Sequence, residues 1–252
     1  MQQYNVKVNL IPDLPTTNFR NGRGSYEGVV CHCTDSGRGD GSDTPTSERN
    51  YESKTFNNAF VHFFVGVENN QPIILQVAST DYQAYGAGPK ANPRFIHVEL
   101  CMYNDEAKFK MAYDAYCFVL AKILYSRKLG VSMATKDGTG TVWAHKDITT
   151  FLGGTTHEDP IAYLAKHNIT WAQHVQNIKN YYNFISGNTT HPIIGKATVT
   201  ADVLNIRSGP GTNYSIVATA KKGEVYSVYS KANDFYCIGT NKYFSSKYCT
   251  YK

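Results

Sequence analysis

The chain has 252 residues, of which 42% are hydrophobic and 18% charged, a balance typical of folded globular proteins rather than disordered chains. The net charge of +5 is mild, and no run of five Lys or Arg residues occurs, which argues against a nucleic-acid partner. No apolar stretch of about 18 residues is present. The chain also lacks a charged start followed by an apolar run, so we expect neither a membrane span nor a signal peptide.

The six cysteines do not form a CxxC pair. Because no secretion signal is visible, we expect reduced thiols, and a bridge between Cys237 and Cys249 is left open as an alternative. The sequence does not determine the oligomeric state, and a monomer is our expectation.

Strands and helices alternate in the first two-thirds of the chain. An irregular lead-in, residues 1–27, precedes the first strand, and the turn-rich segment 35–50 is predicted to be a loop that borders a site, with a short helix after it. Apolar or alternating runs predict four strands: 28–34, 59–67, 72–78 and 94–101. This order of elements indicates an α/β fold with a mixed sheet flanked by helices.

The strongest helical pattern begins after Asn104, a capping residue, and ends at Gly130. Pro160 suits the first position of a helix over 161–167, and Thr170 is expected to cap the next helix.

A change in residue composition near residue 185 predicts a second domain. Residues 185–195 collect Gly, Asn, Thr and Pro and form a predicted linker. The predicted domains are therefore 1–184 and 196–252. The second contains short β-prone runs between turn residues, which predict a small all-β barrel.

Two predicted strands carry His and Glu side chains. Period-two alternation turns Cys31 and Cys33 away from His32, so a Cys-His-Cys metal site within that strand is geometrically poor. In the fourth predicted strand, His97 and Glu99 share a face. A hydrolytic zinc site takes three His, Asp, Glu or Cys ligands and leaves a fourth position to water. The chain has eight His, and spacing alone does not select among them.

Four short motifs follow one another within residues 25–182. They are hydrophobic-x-His-x-Thr (30–34), Val-His-Phe (61–63), Ile-x-Val-Glu-Leu (96–100), and His-x-Asp-Ile-Thr with a downstream Gly-Gly-Thr-x-His-x-Asp-Pro (145–149 and 153–160). Together they resemble the zinc-dependent N-acetylmuramoyl-L-alanine amidase family, whose fold is shared with peptidoglycan recognition proteins and many bacteriophage endolysins.

The resemblance implies one Zn²⁺ held by His32, His145 and Asp159, the last of which is Cys in some relatives. It implies Glu99 as the catalytic acid and base, and His157 as the residue that assists the oxyanion.

Two positions depart from the family pattern. Val61 stands where some relatives carry Tyr, which assigns more of the proton transfer to Glu99. Gly86 stands where many relatives carry His, so substrate contacts of that loop do not transfer.

Each site residue has a structural alternative. His32 and His145 can be core histidines, Asp159 can serve as a helix cap alone, Glu99 can pair with a cation, and His157 can be a solvated loop residue.

The remaining histidines are expected to have structural roles or to lie at the surface. His62 is expected behind the ligands or in the core, and His97 either orients Glu99 or simply packs. Three others are expected at the surface: His167, His174 and His191.

The tract VLNIRSGPGTNY (203–214) and the Lys-Lys-Gly-Glu turn (221–224) resemble bacterial SH3-like (SH3b) domains. The resemblance implies binding to cell-wall peptide or glycan, with a structural appendage as the alternative. The usual central Trp is replaced by Phe235 or Tyr236. Candidate wall contacts are Asn205, Arg207, Tyr214, Tyr236 and Tyr243.

The combined resemblance implies a lytic enzyme of endolysin or autolysin type that acts on bacterial peptidoglycan. Its reaction would be hydrolysis of the amide between the lactyl group of N-acetylmuramic acid and L-Ala. With no visible signal peptide, we expect a phage enzyme made in the host cytoplasm and released to the wall by a holin, rather than an exported autolysin. Two alternatives stay open: a non-catalytic peptidoglycan-binding protein, which the presence of Asp159 disfavours, and cleavage elsewhere in the peptide.

Overall fold

A computed structural model describes residues 1–34, 43–187, 193–239 and 241–252. The chain divides into two compact units, Gln2–Tyr182 and Asn183–Lys252 with Met1. The predicted loop 35–50 and linker 185–195 lie partly outside the described residues, and His191 lies wholly outside them. Within the described ranges, no helix combines the length and apolar character needed to cross a bilayer.

The first unit is built on a six-stranded mixed sheet. Its strands are β1 Val6–Val8, β2 Gly28–Cys33, β3 Phe63–Glu68, β4 Gln71–Gln76, β5 Phe95–Leu100 and β6 Val142–Ala144. Their order across the sheet is β1-β4-β3-β5-β2-β6. The β3–β4 pair is antiparallel, and the other pairs are parallel. The side chains of β2 and β5 are buried along almost their whole length, which is typical of parallel strands covered on both faces.

Among the described residues, the first unit and the segment that follows it contain five helices: α1 Pro45–Thr55, α2 Glu106–Ser126, α3 His145–Asp147, α4 Ile161–Lys166 and α5 Trp171–Ile185. A further helical turn spans Ile148–Leu152. Helix α2 packs on the sheet, and its buried Tyr116 hydroxyl donates to the carbonyls of His32 (3.0 Å) and Val98 (3.1 Å). This contact fixes α2 at the end of β2 that carries His32.

The α/β fold class agrees with the sequence prediction, while several element bounds differ. Helix α1 begins inside the predicted loop 35–50, because Thr44 caps it through Ser47 (3.1 Å) and Pro45 fits the first turn. Asp105, rather than Asn104, caps α2 by accepting from the Lys108 amide at 2.8 Å.

Strand β3 begins at Phe63 rather than 59. The preceding backbone bonds elsewhere, since the Val61 amide donates to the Glu52 side chain (2.9 Å) and the His62 carbonyl accepts from the Val77 amide (2.8 Å). Strand β1, Val6–Val8, lies in the lead-in that was predicted to be irregular.

The second unit is the predicted all-β barrel. Its strands are β7 Gly195–Val199, β8 Val203–Arg207, β9 Ile216–Lys221, β10 Val225–Val228, β11 Ser230–Ala232, β12 Phe235–Gly239, β13 Lys242–Ser245 and β14 Cys249–Tyr251. They form two antiparallel sheets, β10-β7-β14 and β11-β12-β13-β8-β9, around a core that includes Leu204, Ile206 and Phe244. Cys237 and Cys249 are free thiols, so the bridge left open by the sequence is not formed.

Candidate metal centre and its cleft

The candidate ligands lie at one edge of the central sheet. His32 occupies the carboxyl end of β2, and His145 follows directly after the parallel neighbour β6. On the other side of β2, Glu99 of β5 is the register partner of His32. Because carboxyl ends of parallel strands meet at the same edge of a sheet, segments far apart in sequence deliver their side chains to one place.

Asp159 joins the two histidines. Its Oδ2 lies 3.2 Å from His32 Nδ1, and its Oδ1 lies 3.1 Å from His145 Nδ1. Ligand atoms of these three residues all lie within 4.8 Å of one another. The structure thus brings together the three residues that the family resemblance implied as ligands, and both imidazoles present the same nitrogen, Nδ1, to the carboxylate.

The surroundings hold these side chains in place. The His145 Nε2 atom lies 3.0 Å from the Thr155 hydroxyl, and the Cys33 amide donates to Asp159 Oδ2 at 3.3 Å. When a histidine binds a metal through one ring nitrogen, a hydrogen bond to the other nitrogen orients the ring and fixes its tautomer. Sequence reasoning gave Thr155 no such role, although it belongs to the Gly-Gly-Thr motif.

The charge state of the cluster suits a cation. Burial acts to raise the pKa of Asp159, but hydrogen bonds and charge interactions with His145 and His32 outweigh it and hold that pKa below its usual range. Burial, with His32 nearby, lowers the pKa of His145. An ionised carboxylate with neutral imidazole is the donor set that Zn²⁺ prefers, so these residues fit the metal.

Glu99 reaches the same cleft, a cavity of about 840 Å³ that is also lined by His32, His145, His157 and Asp159. The Glu99 Oε2 atom is buried and has no hydrogen-bond partner among the described residues. Burial, reinforced by the charges of Asp159 and Glu52, raises the pKa of Glu99 well above its ordinary value. A carboxyl group in this state can hold a proton for a leaving group.

His157 is exposed on the cleft wall, where its ring stacks on that of His145 with centroids 4.7 Å apart and planes 6° apart. Its backbone carbonyl accepts from the Thr149 hydroxyl at 2.6 Å, which holds the loop. The His157 imidazole therefore lies beside that of His145 on the wall of the cleft.

The other described histidines are mostly internal. His62 is fully buried, as expected, and burial lowers its pKa to about 4. His167 is more covered than predicted, since only 9% of its side chain is exposed, and it lies 2.8 Å from Glu106. The prediction that His174 lies at the surface is wrong: it is fully buried and bonds the Tyr113 hydroxyl at 3.0 Å, because it lies on the apolar face of α5.

Glu52 is a buried carboxyl of the cleft that the sequence did not single out. Its Oε1 accepts from the Val61 amide, and its Oε2 lacks a partner in the described part of the chain. Burial raises its pKa to about 8. Since the folded state binds this proton more tightly than the unfolded state, the contribution to stability is complete below about pH 4.5 and declines as the pH rises to about 8.

We therefore expect Glu52→Gln, which keeps the acceptor for Val61, to match the wild type in free energy of unfolding near pH 4.5 and to exceed it at pH 8 by on the order of 4 kcal/mol. Urea unfolding at both pH values measures this difference. Equal pH dependence in the two proteins would show that Glu52 keeps an ordinary pKa in the fold.

The candidate wall contacts of the barrel differ in how much of their surface is exposed. Asn205 is exposed and Tyr214 is 39% exposed. Arg207 donates to the carbonyls of Thr212 (3.0 Å) and Tyr214 (2.8 Å), so it holds the 208–214 loop. Tyr236 and Tyr243 are buried, with 8% and 5% exposure, and the structure argues against them as wall contacts because little of their surface can reach a ligand.

Fold and site together define an α/β domain whose cleft carries a candidate metal cluster, followed by an SH3-like barrel. The model of the N-acetylmuramoyl-L-alanine amidase family matches residues 22–162, and that of bacterial SH3 domains matches 202–248. The chain belongs to the N-acetylmuramoyl-L-alanine amidase family and carries a bacterial SH3 domain after it.

Two bacterial proteins are similar to most of this chain. The chain is 38% identical over 183 residues to protein Ami of Listeria monocytogenes, covering 73% of this chain and 19% of that protein. It is 35% identical over 209 residues to a bifunctional autolysin of Staphylococcus epidermidis, covering 83% and 15%. The chain thus spans less than a fifth of the length of either relative.

A solved structure also matches the chain. Hydrolase AmiA of Staphylococcus aureus, in complex with its ligand, superposes with a TM-score of 0.69 at 34% identity, covering 75% of this chain and 89% of that one.

Proposed function

We propose that the chain is a zinc-dependent amidase that cleaves the bond between N-acetylmuramic acid and the L-Ala of the stem peptide. The observation that carries the proposal is the His32–His145–Asp159 cluster, with Glu99 and His157 on the same cleft. His32, His145 and Asp159 would hold the metal. When bound, Zn²⁺ supplies a Lewis acid that polarises a carbonyl and acidifies a water molecule.

The chain's own residues supply the proton transfers and the charge stabilisation. Glu99 takes the proton of the attacking water and delivers it to the leaving amine of L-Ala, for which its raised pKa is suited. His157, whose ring lies over that of His145, donates a hydrogen bond to the oxyanion that forms at the scissile carbonyl. Val61 lines the cleft without a titratable group, so it shares none of the proton transfer assigned to Glu99.

The test of the proposal is the release of new amino groups from purified cell wall by the full chain. We expect release that stops with a chelator and returns on addition of Zn²⁺. Binding to the wall without any metal-dependent release would support the second candidate, a peptidoglycan-binding protein without activity.

The barrel is proposed to bring the enzyme to the wall. Residues 193–252 contain eight Lys and Arg against three Asp and Glu, so they hold the entire net charge of +5, and residues 1–192 are neutral overall. A positive surface favours a wall rich in anionic polymers.

We expect retention on intact wall to fall with rising salt, and a Lys221→Gln/Lys242→Gln double variant to bind roughly threefold to tenfold more weakly at low salt. Co-sedimentation measures the retention. Lys108→Gln/Lys110→Gln in α2 removes the same charge from the first unit and serves as the control. Equal weakening by both double variants would assign the effect to net charge alone rather than to the barrel.

A further inference from the structure

Three buried histidine rings extend inward from the candidate metal centre. The His97 ring lies between the other two, with centroids 5.4 Å from His32 and 5.8 Å from His62 and interplanar angles of 28° and 4°. All three are essentially without solvent exposure. Although His97 shares a strand face with Glu99, its ring bonds to His32.

Two hydrogen bonds determine which ring nitrogen of His62 carries the hydrogen. The His97 backbone amide donates to His62 Nδ1 at 3.0 Å, so that nitrogen carries no hydrogen. His62 Nε2 is therefore protonated and donates to the Tyr82 carbonyl at 2.9 Å. Two backbone groups thus lock the His62 ring against which the His97 ring is stacked.

The contact between His97 and His32 decides which nitrogen of His32 is available to a metal. His97 Nδ1 lies 3.2 Å from His32 Nε2, so one of the two donates. A histidine that binds a metal through Nδ1 carries its hydrogen on Nε2, so in that state His32 donates to His97, and its Nδ1, the atom that faces Asp159, keeps a lone pair. Without a metal, the same Nδ1 can carry a hydrogen and donate to Asp159. The opposite arrangement places a proton on His32 Nδ1 and removes the metal-binding lone pair.

Close packing holds the His97 ring where its Nδ1 can accept a hydrogen bond from His32 Nε2. Gly86 lies against this ring and leaves little room for a side chain. A residue with a Cβ atom at this position would place it 3.3 Å from both Cγ and Nδ1 of His97 and 3.1 Å from Val61 Cγ1. The backbone at Gly86 therefore covers one side of the ring. With Nδ1 as the acceptor, the His97 proton lies on Nε2, a buried atom without a hydrogen-bond partner in the described residues. A buried polar atom without a partner costs free energy in either tautomer, so its presence beside the site calls for an explanation.

We propose that His97 is a positioning residue for the metal ligand His32. Its Nδ1 accepts the hydrogen bond from His32 Nε2 and holds His32 in the tautomer that offers Nδ1 to Zn²⁺. Metal-bound histidines usually donate to a carboxylate, a carbonyl or water, and here an imidazole takes that place. The inference rests on the zinc site of the proposed function, and it concerns metal affinity rather than the reaction.

The test is the Zn²⁺ affinity of the full chain, measured by competition with a chromophoric chelator for the wild type, His97→Phe and His97→Asn. Phe keeps a flat ring but leaves His32 Nε2–H without an acceptor, and we expect a loss of about 10- to 100-fold in affinity. Asn places an amide oxygen near the former Nδ1 position, so we expect it to restore most of that loss.

His174→Phe is the matched control, because His174 is equally buried and also has one bonded and one unpartnered nitrogen. We expect it to lower the melting temperature without changing Zn²⁺ affinity. Wild-type affinity in His97→Phe, or equal losses in the Phe and Asn variants with native circular dichroism, would overturn the role of His97. A wild-type chain that binds no Zn²⁺ would overturn the proposed metal site itself, and this inference with it.

Discussion

Asp159→Asn is expected to abolish tight zinc binding and to lower amide hydrolysis by about 1000-fold or more. The Asp159 carboxylate touches both imidazoles through separate oxygens, and the amide of Asn supplies neither the charge nor the second acceptor. Losing several kcal/mol of Lewis-acid stabilisation corresponds to a rate loss of about this size. Metal analysis and release of amino groups from purified wall measure the two effects.

The neighbouring carboxylate provides the control. Glu158 is exposed and pairs with Lys146 at 3.2 Å, so Glu158→Gln should keep both the metal and the activity. If Asp159→Asn retained stoichiometric zinc, Asp159 would not be a metal ligand.

Glu99→Gln is expected to lower kcat by about 10²- to 10⁴-fold while zinc content stays at the wild-type level, because the proton transfers are lost and the ligands are untouched. The raised pKa of Glu99 follows from burial and from the charges of Asp159 and Glu52, and no other titratable group is assigned to this step. Steady-state hydrolysis of a muramoyl-peptide substrate, with metal analysis of the same preparations, separates the two quantities.

Glu52→Gln is the matched control for Glu99→Gln, since Glu52 is buried on the same cleft but bonds the Val61 amide. We expect it to keep kcat within about tenfold of the wild type. Loss of zinc in Glu99→Gln would make Glu99 part of the metal site, and unchanged kcat would remove it from the reaction.

The parts of the site that lie on strongly patterned strands could be predicted from sequence. Period-two alternation places His32 and Glu99 on defined strand faces, and the family resemblance implied their roles. Their adjacency depends on the parallel register of β2 and β5, which a single sequence does not contain. The His97–His32 contact was missed for the same reason, because it crosses between strands.

Other misses had a local signal. His174, Ile178 and Tyr181 recur at helical spacing and are all buried, so the apolar face of α5 marked His174 as internal. Thr44 and Pro45 form a helix start inside a segment whose Gly and Asp content favoured a loop. Strand β1 had no such local signal, because three residues are too few to show an alternation of polar and apolar side chains. Its position depends on pairing with β4, which is distant in sequence.

The most direct test of the account is mass spectrometry of the fragments that the full chain releases from purified cell wall in the presence of Zn²⁺. The account predicts intact stem peptides with a free L-Ala amino terminus and glycan strands without peptide, with neither product formed when a chelator is present. Fragments in which L-Ala remains joined to N-acetylmuramic acid, or release that continues under the chelator, would contradict it.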